Sequence, residues 1–435
     1  MPADLSRSAH AAAARAVLLR ASTVALGLAV VSVVLAGLYG NYYVLAARGF
    51  HLPDVSPPAG QLALGFQVVT GLLVGWALVL NAATWPGVAA RVLAAWVRWT
   101  GGHHTGLVAA GLAVMLAAAY GVFRLAANEE SPYGTLAMLA EGKAYRPYQY
   151  RVLVPWMAAV LHDAGLPLRA SFGLLEAVAA LAAYGAFRFF LRPYIGRART
   201  RAAAALFLFV PLTLNLATGY RYNAILFPWD TASVAFFTLG LALLERRAWG
   251  LYYPLFVVAT FNRETTCFLV VCYVLAALGE ERPRRIALHA AAQTALWVAI
   301  KGALYVRYAG NEILGRGDTG LFVNQLERSF GILFSVPGPV YLVLAMGGLW
   351  LVVLLLRRWI GDPRVGRLAR FVPVFLVGMV GVGELMEVRI YSELLPLTTL
   401  AVFLIARNVV QALAEPATAA AVREAPALVL APRSA

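Results

Sequence analysis

Long apolar runs recur along this chain, near residues 18–40, 62–85, 105–123, 170–191, 202–218, 229–245, 286–306 and 337–356. Each supplies roughly 20 residues, which at a 1.5 Å helical rise covers a hydrocarbon core of about 30 Å. Two longer runs, 250–279 and 371–408, are broken by charge. Asn262-Arg263-Glu264-Thr265 interrupts the first, and Glu384-Leu385-Met386-Glu387-Val388-Arg389 the second. As one straight helix of about 30 residues, either run would reach some 45 Å. It would also hold ions at mid-bilayer, at roughly 2.5–3.5 kcal/mol each. Each run therefore reads as a hairpin of two short helices with a charged external tip.

A chain that is 61% hydrophobic and 13% charged, with a mean hydropathy of +0.73, has more apolar surface than a water-soluble fold can bury. The expected fold class is all-α, a polytopic integral membrane protein of about 12 helices. Residues 1–415 read as a single transmembrane domain, and the Ala/Pro-rich 416–435 as a disordered cytoplasmic tail. The first apolar run lacks a small-residue cleavage site and reads as a signal anchor.

The net charge of +15 could point to nucleic acid, but in such a chain it reports loops facing anionic lipid, and no nucleic-acid partner is expected. With the N-terminus in the cytoplasm, the inner loops hold Arg91, Arg98, Arg192/Arg197/Arg199/Arg201, Arg246-Arg247, Arg282/Arg284/Arg285, Arg357-Arg358 and Arg364/Arg367/Arg370. Reading 250–279 as a single crossing would move Glu281-Arg282-Pro283-Arg284-Arg285 outside, so the charge bias favours the hairpin. Both termini are then cytoplasmic. The Ala/Arg-rich, Lys-poor style suggests a bacterial inner membrane. Cys267 and Cys272 read as buried free thiols on different helix faces, and the histidines show no metal-ligand spacing.

The external loop 124–169 is the most polar segment near the start of the chain. Glu129-Glu130 opens its polar part and Tyr145-Arg146-Pro147-Tyr148-Gln149-Tyr150-Arg151 closes it. Carboxylates beside cationic and hydroxyl donors suit chemistry on a phosphorylated or sugar-bearing molecule; the plain alternative is a solvated loop. Residues 152–161 are too short to span, and read as an interfacial helix begun at Pro155. Three other outer pieces carry polar groups: Tyr220-Arg221-Tyr222-Asn223 with Pro228-Trp229-Asp230, the 262–265 tip, and the 384–393 tip beside the loop 307–335.

Arg263 is either half of a structural ion pair at a helix break or a ligand for a lipid phosphate. Glu387 and Arg389, two residues apart, do not stack on one helix face, which leaves Arg389 available to a ligand. Lys301 either snorkels outward or binds phosphate. Asp230 can serve simply as a helix-start charge. Candidate substrate-binding residues are Tyr133, Tyr148, Arg151, Asp230, Arg263, Glu264, Glu387 and Arg389. No metal ligand set is identified, although a divalent ion is compatible with the acids.

Glu129-Glu130-Ser131-Pro132-Tyr133, followed by Ala137, Leu139, Gly142 and Tyr145-Arg146-Pro147, resembles the first external loop of the GT-C membrane glycosyltransferases. These include the protein O-mannosyltransferases and the lipid A aminoarabinose transferases. The resemblance puts Glu129 at the family's catalytic Asp and Glu130 on its acidic neighbour. Asp230, opening the run Asp-Thr-Ala-Ser-Val-Ala-Phe-Phe, resembles a recurrent helix start of the superfamily. Glu replaces Asp as the leading acid, two spans precede the helix entering the loop where the family usually has one, and no soluble C-terminal sugar-binding domain follows.

The resemblance implies inverting transfer of a sugar from a polyprenyl-phosphate donor to an acceptor at the outer face. A Glu would take the acceptor hydroxyl proton as that oxygen attacks the anomeric carbon, with Arg151, Arg263 and Arg389 stabilising the departing phosphate. The alternative is a transporter or lipid flippase whose broken helices line a midplane site. Depth separates the two: a transferase needs the charged breaks near the outer rim. A scaffold without chemistry would leave the outer acids and arginines unclustered.

Overall fold

The computed structural model describes residues 104–216, 225–313, 329–331, 333–334, 345–383, 385 and 387–424. The expected segments near 18–40 and 62–85, the run Tyr220-Arg221-Tyr222-Asn223 and Glu384 lie outside the described residues, as does the Glu129 side chain. The chain is mostly helical. Among the described residues, three stretches are long and apolar enough to cross a membrane: Thr105–Ala126, Leu168–Phe190 and Arg389–Val409.

Helix α1 (Thr105–Ala127) stops where Asn128 turns extended, its side-chain amide donating to the Arg124 carbonyl at 2.8 Å. Strand β1 (Glu129–Glu130) follows, then the short helix α2 (Leu136–Ala140). Thr135 begins α2 by accepting a hydrogen bond from the Met138 amide at 3.2 Å. Gly142, at φ +76°, turns the chain out of α2, a conformation that glycine adopts without penalty. Helix α3 (Leu153–Asp163) forms over the segment read from sequence as too short to span. It starts two residues before Pro155, because the first-turn amides have no intrahelical partner and a proline there costs nothing. It buries Val154, Pro155 and Ala158 and presents Trp156 and Val160 outward.

The helices that follow are α4 (Leu168–Phe190), α5 (Ala198–Leu206) and α6 (Phe209–Leu216). Strand β2 (Ile225–Leu226) leads into α7 (Asp230–Glu245), and α8 (Trp249–Asn262), α9 (Phe268–Ala277) and α10 (Pro283–Arg307) come next. The last described group is α11 (Leu349–Leu356), α12 (Pro363–Leu368), α13 (Phe371–Val382) and α14 (Leu395–Glu424). The β1–β2 pair is parallel, with Glu129 opposite Ile225 and Glu130 opposite Leu226.

Both charge-broken runs turn back on themselves. Before α8, Arg247 pairs with Glu280 at 3.2 Å and Glu281 at 3.1 Å, which lie just after α9. Trp249 and Tyr273 meet edge to face at 5.2 Å. The chain therefore leaves that end along α8, turns through a 3₁₀ segment (Glu264–Cys267) and returns along α9. Likewise Asn408 donates to the carbonyls of Trp359 and Ile360 at 2.9 and 3.0 Å, at the same end as Arg367–Glu280. The tip between α13 and α14 lies at the opposite end, against Asp230.

Aromatic residues fill the space between, among them Phe187, Phe190, Phe256, Phe371 and Phe375, all fully buried. Helix position differs sharply. The Arg389–Val409 stretch is almost wholly buried and central, while most of Thr105–Ala126 is exposed and peripheral. Exposed Leu107, Val108, Val114, Met115 and Val122 on α1 form an apolar outer face.

Two expectations are corrected. Helix α14 continues to Glu424, so residues 416–424 of the tail expected to be disordered are helical, in keeping with their alanine content. Residues 425–435 lie outside the described ones. Cys267, expected buried, is only partly buried at the tip of its hairpin, while Cys272 is buried; both are free thiols.

Candidate functional site

Asp230 is the hub of one end of the bundle. The Phe227-Pro228-Trp229 turn after β2 delivers it to the first position of α7, where its amide donates to the Phe227 carbonyl at 3.2 Å. A carboxylate at a helix N-terminus is favoured by the free amides there, but its partners go further than that. Arg263 Nη1 lies 3.2 Å from Oδ1, Arg389 Nη1 3.3 Å from Oδ1, and Arg124 Nη2 3.7 Å from Oδ2. These guanidinium groups come from the end of α1, the break after α8 and the 3₁₀ turn Val388–Leu394.

The network extends outward from the hub. Arg263 also contacts Glu393 at 3.0 Å, and Thr265 Oγ1 donates to the same carboxylate at 2.7 Å. Arg124 lies 4.0 Å from Glu176, whose carboxylate accepts from the Thr231 hydroxyl; that hydroxyl is 3.0 Å from the Tyr120 hydroxyl. Arg389 pairs with Glu387. Arg124, Arg151, Arg263 and Arg389 are thus set against Glu176, Asp230, Glu264, Glu387 and Glu393. A lone buried ion costs several kcal/mol after relaxation, which mutual pairing offsets.

An aromatic wall stands beside the charges. Tyr148, Phe227 and Trp229 pack with centroids 5.4–6.3 Å apart. The Arg389 guanidinium sits 3.6 Å over Phe227, and that of Arg151 4.8 Å over Trp229. Burial, then the nearby Glu387, raises the Tyr148 hydroxyl above its ordinary range, against the opposing Arg389 and Arg151. Tyr148 therefore stays protonated at working pH and keeps a donor. Arg151 holds Glu264 with Nε at 3.0 Å and a second nitrogen on the other oxygen. Trp297 Nε1 donates to the Glu264 carbonyl at 2.9 Å, and Lys301 reaches the Tyr150 carbonyl at 3.2 Å. Arg151 Nη1 and Trp229 Nε1 are buried with no hydrogen-bond partner among the described residues. Both are donors able to receive an oxygen.

The structure gathers most of the residues picked out from the sequence. Asp230, Arg263, Arg389, Glu387, Arg151, Glu264 and Tyr148 share this end and contact one another directly or through one neighbour. Two do not join. Glu130 accepts from the Leu136 amide at 3.0 Å and meets Arg169 at 3.4 Å, so its carboxylate supports the start of α2. Tyr133 is half-exposed and packs edge-on against Tyr145 at 5.6 Å. The backbone of Glu129 is held in β1, a short turn from Asp230 along the paired strand.

The expectation that Arg389 lacks a local acid is corrected. Residue Glu387 is extended (φ −83°, ψ 91°), so helical spacing does not apply and the two side chains meet. Asp230 likewise does much more than complement a helix terminus. Sequence reasoning missed Arg124, Glu176 and the role of Glu393. Glu176 carried a usable signal, an acid within the apolar run 170–191, where ionisable groups are costly without a partner.

Among the described residues no group of three or more His, Cys, Asp or Glu is placed to hold a metal ion. No family model matches the chain, and no curated protein or solved structure matches it.

Proposed function

We propose that this protein is a GT-C-like membrane glycosyltransferase of about 12 spans. It would move a sugar from a polyprenyl-phosphate donor to an acceptor at the outer face of a bacterial inner membrane. The observation that carries the reading is the meeting of Arg263 and Arg389 on Asp230, beside the strand holding Glu129-Glu130. Cations that stabilise a departing phosphate and a carboxylate that takes a proton must lie within a few Å of one reacting centre. Arg151, with an unused donor beside Trp229, extends the cationic wall. Lipid headgroup and phosphate are expected along Arg151, Arg263 and Arg389, with Tyr148 and Trp229 against the sugar. Donor phosphate would exchange with Glu264 and Glu387 as counter-charge to the arginines.

Glu129 is the proposed base and Glu130 its supporting neighbour. The test is release of polyprenyl phosphate from a radiolabelled donor, in liposomes holding the purified chain and cell-envelope acceptor. Glu129→Gln should lower turnover by about 10²–10⁴-fold with donor binding retained. Glu130→Gln should do less. Near-normal turnover in both variants removes the loop from the chemistry.

A transporter or flippase is the second reading, and one observation favours it. Helix α7 has 16 residues from Asp230 to Glu245, about 24 Å, shorter than a core about 30 Å thick, so with Glu245 at the inner surface the hub would lie inside the core. Counterflow of a lipid-linked sugar without any loss of the sugar–phosphate bond would decide for transport.

A further inference from the structure

At the end of the bundle away from Asp230, α4 finishes at Phe190 and the chain turns through 191–197 into α5. This turn and the helix before it enclose a cleft of about 320 Å³ lined by Gly185, Arg188, Phe189, Arg192 and Arg201. Every charged group in the lining is a guanidinium. Arg188 lies in the last turn of α4 and Arg192 in the turn that follows, and both are exposed and line the one cleft. Like charges gathered in one cleft repel unless a counter-charge lies between them. The C-terminal dipole of α4 relieves part of that repulsion, but a partial charge does not neutralise full ones.

Arg201 is fixed across the cleft. Its Nη1 donates to the carbonyls of Ile195 and Gly196, both at 2.6 Å, which leaves other donors of the fork directed elsewhere. Burial, then the Arg188 and Arg192 charges, lowers its affinity for the proton, a sign that the groups act on one another. Below them Phe189 forms an apolar floor, held by Arg246, which stacks on its ring at 4.0 Å and donates to its carbonyl at 2.8 Å. Two acids at this end of the bundle are engaged with other groups: Glu245 with Tyr194, and Glu280 with Arg247 and Arg367. Gly185 lacks a Cβ and meets no atom within 4 Å on that side, which keeps the upper wall open.

We infer that this cleft binds a phosphate group through Arg188, Arg192 and Arg201, with Phe189 under the adjoining apolar part of the ligand. The phosphate belongs either to the headgroup of an anionic lipid or to a soluble phosphate compound. The chemistry is the same in both: planar guanidinium forks match phosphate oxygens. The site is separate from the Asp230 network and does not depend on the proposed sugar transfer.

The full chain, purified in a neutral detergent, is titrated separately with dioleoylphosphatidylglycerol, dioleoylphosphatidylcholine and inorganic phosphate. Bound adducts are counted by native mass spectrometry. The Arg188→Gln/Arg192→Gln pair is compared with Arg282→Gln/Arg284→Gln, which removes the same charge from exposed positions at the same end of the bundle. Arg201 is left intact because it holds the turn. The expected result is retention of phosphatidylglycerol over phosphatidylcholine, reduced on the order of tenfold in the cleft pair and little changed in the control pair. Inorganic phosphate binding that is lost in the cleft pair, without any preference for phosphatidylglycerol, assigns the site to a soluble phosphate. Equal adducts in both pairs, or no preference for either phosphate source over phosphatidylcholine, overturns the inference.

Discussion

Arg263 and Asp230 pair at 3.2 Å with both side chains buried, joining the break after α8 to the first residue of α7. Arg263 also bridges to Glu393 from the α13–α14 tip, so one guanidinium ties three chain segments together. Removing it leaves two buried carboxylates short of a counter-charge, a loss of about 3–5 kcal/mol when one partner of a buried pair is deleted. Arg263→Gln should therefore lower the thermal midpoint in detergent by many degrees. Adding Asp230→Asn should restore part of the loss, with a coupling energy above about 1 kcal/mol in the double-mutant cycle. Losses that simply add would mean the pair carries no coupling. An unchanged Arg263→Gln midpoint beside lost donor affinity would instead place Arg263 in ligand binding alone.

The two ends of the bundle should lie on opposite sides of a membrane. Lys143 is exposed in the loop over the site, and Arg284 is exposed where α10 begins, at the far end. Lys143→Cys and Arg284→Cys, each in a background lacking Cys267 and Cys272, are treated with an impermeant maleimide. Lys143→Cys should react in intact cells and Arg284→Cys only after permeabilisation. Labelling of both without permeabilisation is incompatible with helices that run between two faces.

The loop that covers the site is fastened from a distance. Asn311, just past α10, donates to the carbonyls of Gly142 and Ala144 at 2.9 and 2.8 Å, while Arg146 donates to the Asn311 carbonyl at 2.9 Å. Each such bond contributes about 0.5–1.5 kcal/mol net. Asn311→Ala removes the two side-chain bonds and should speed hydrogen exchange of residues 142–150 by roughly tenfold or more, leaving α7 and α14 protected. Unchanged exchange in the loop would mean that α2 and the 3₁₀ turn Tyr148–Tyr150 hold it alone.

Much of this architecture is legible in the sequence because apolar run length and charge breaks are one-dimensional signals. Asn262–Thr265 and Glu384–Arg389 mark reversals for a simple reason: ions are costly inside apolar helices, and a turn moves them to one end. The convergence of Arg263 with Arg389 is a different matter. It depends on which helices pack, and 126 residues of chain separate the two. Arg124 carries no signal of its own in the sequence, because its pairing with Glu176 requires α1 and α4 to lie side by side. Helical spacing also misled at Glu387 and Arg389, because Glu387 is extended where the chain enters the 3₁₀ turn.

The close approach of α1 and α4 rests on two glycines, and it governs the Arg124–Glu176 contact. A Cβ built on Gly121 would lie 2.7 Å from the Gly173 carbonyl oxygen and 3.0 Å from Ala177. Those atoms are backbone or short side chain, so the helices themselves must separate. A Cβ on Gly173 would lie 2.4 Å from Leu125 Cδ1, the end of a flexible side chain that can rotate away. Small residues at a contact between apolar helices let the backbones pack closely, which is the main attraction available in lipid. Alanine gains about 1 kcal/mol of helix propensity over glycine, while overpacking costs about 1–3 kcal/mol. At Gly121 the second effect should win, and at Gly173 the two should nearly cancel. Gly121→Ala should therefore lower the thermal midpoint more than Gly173→Ala. Arg124 and Glu176 each sit three residues beyond these glycines, on the same faces. Separating the helices should thus lengthen their contact and weaken donor binding in Gly121→Ala only. Equal midpoints for the two variants, with donor binding intact in both, would show that the glycine contact does not set the spacing on which the ion network depends.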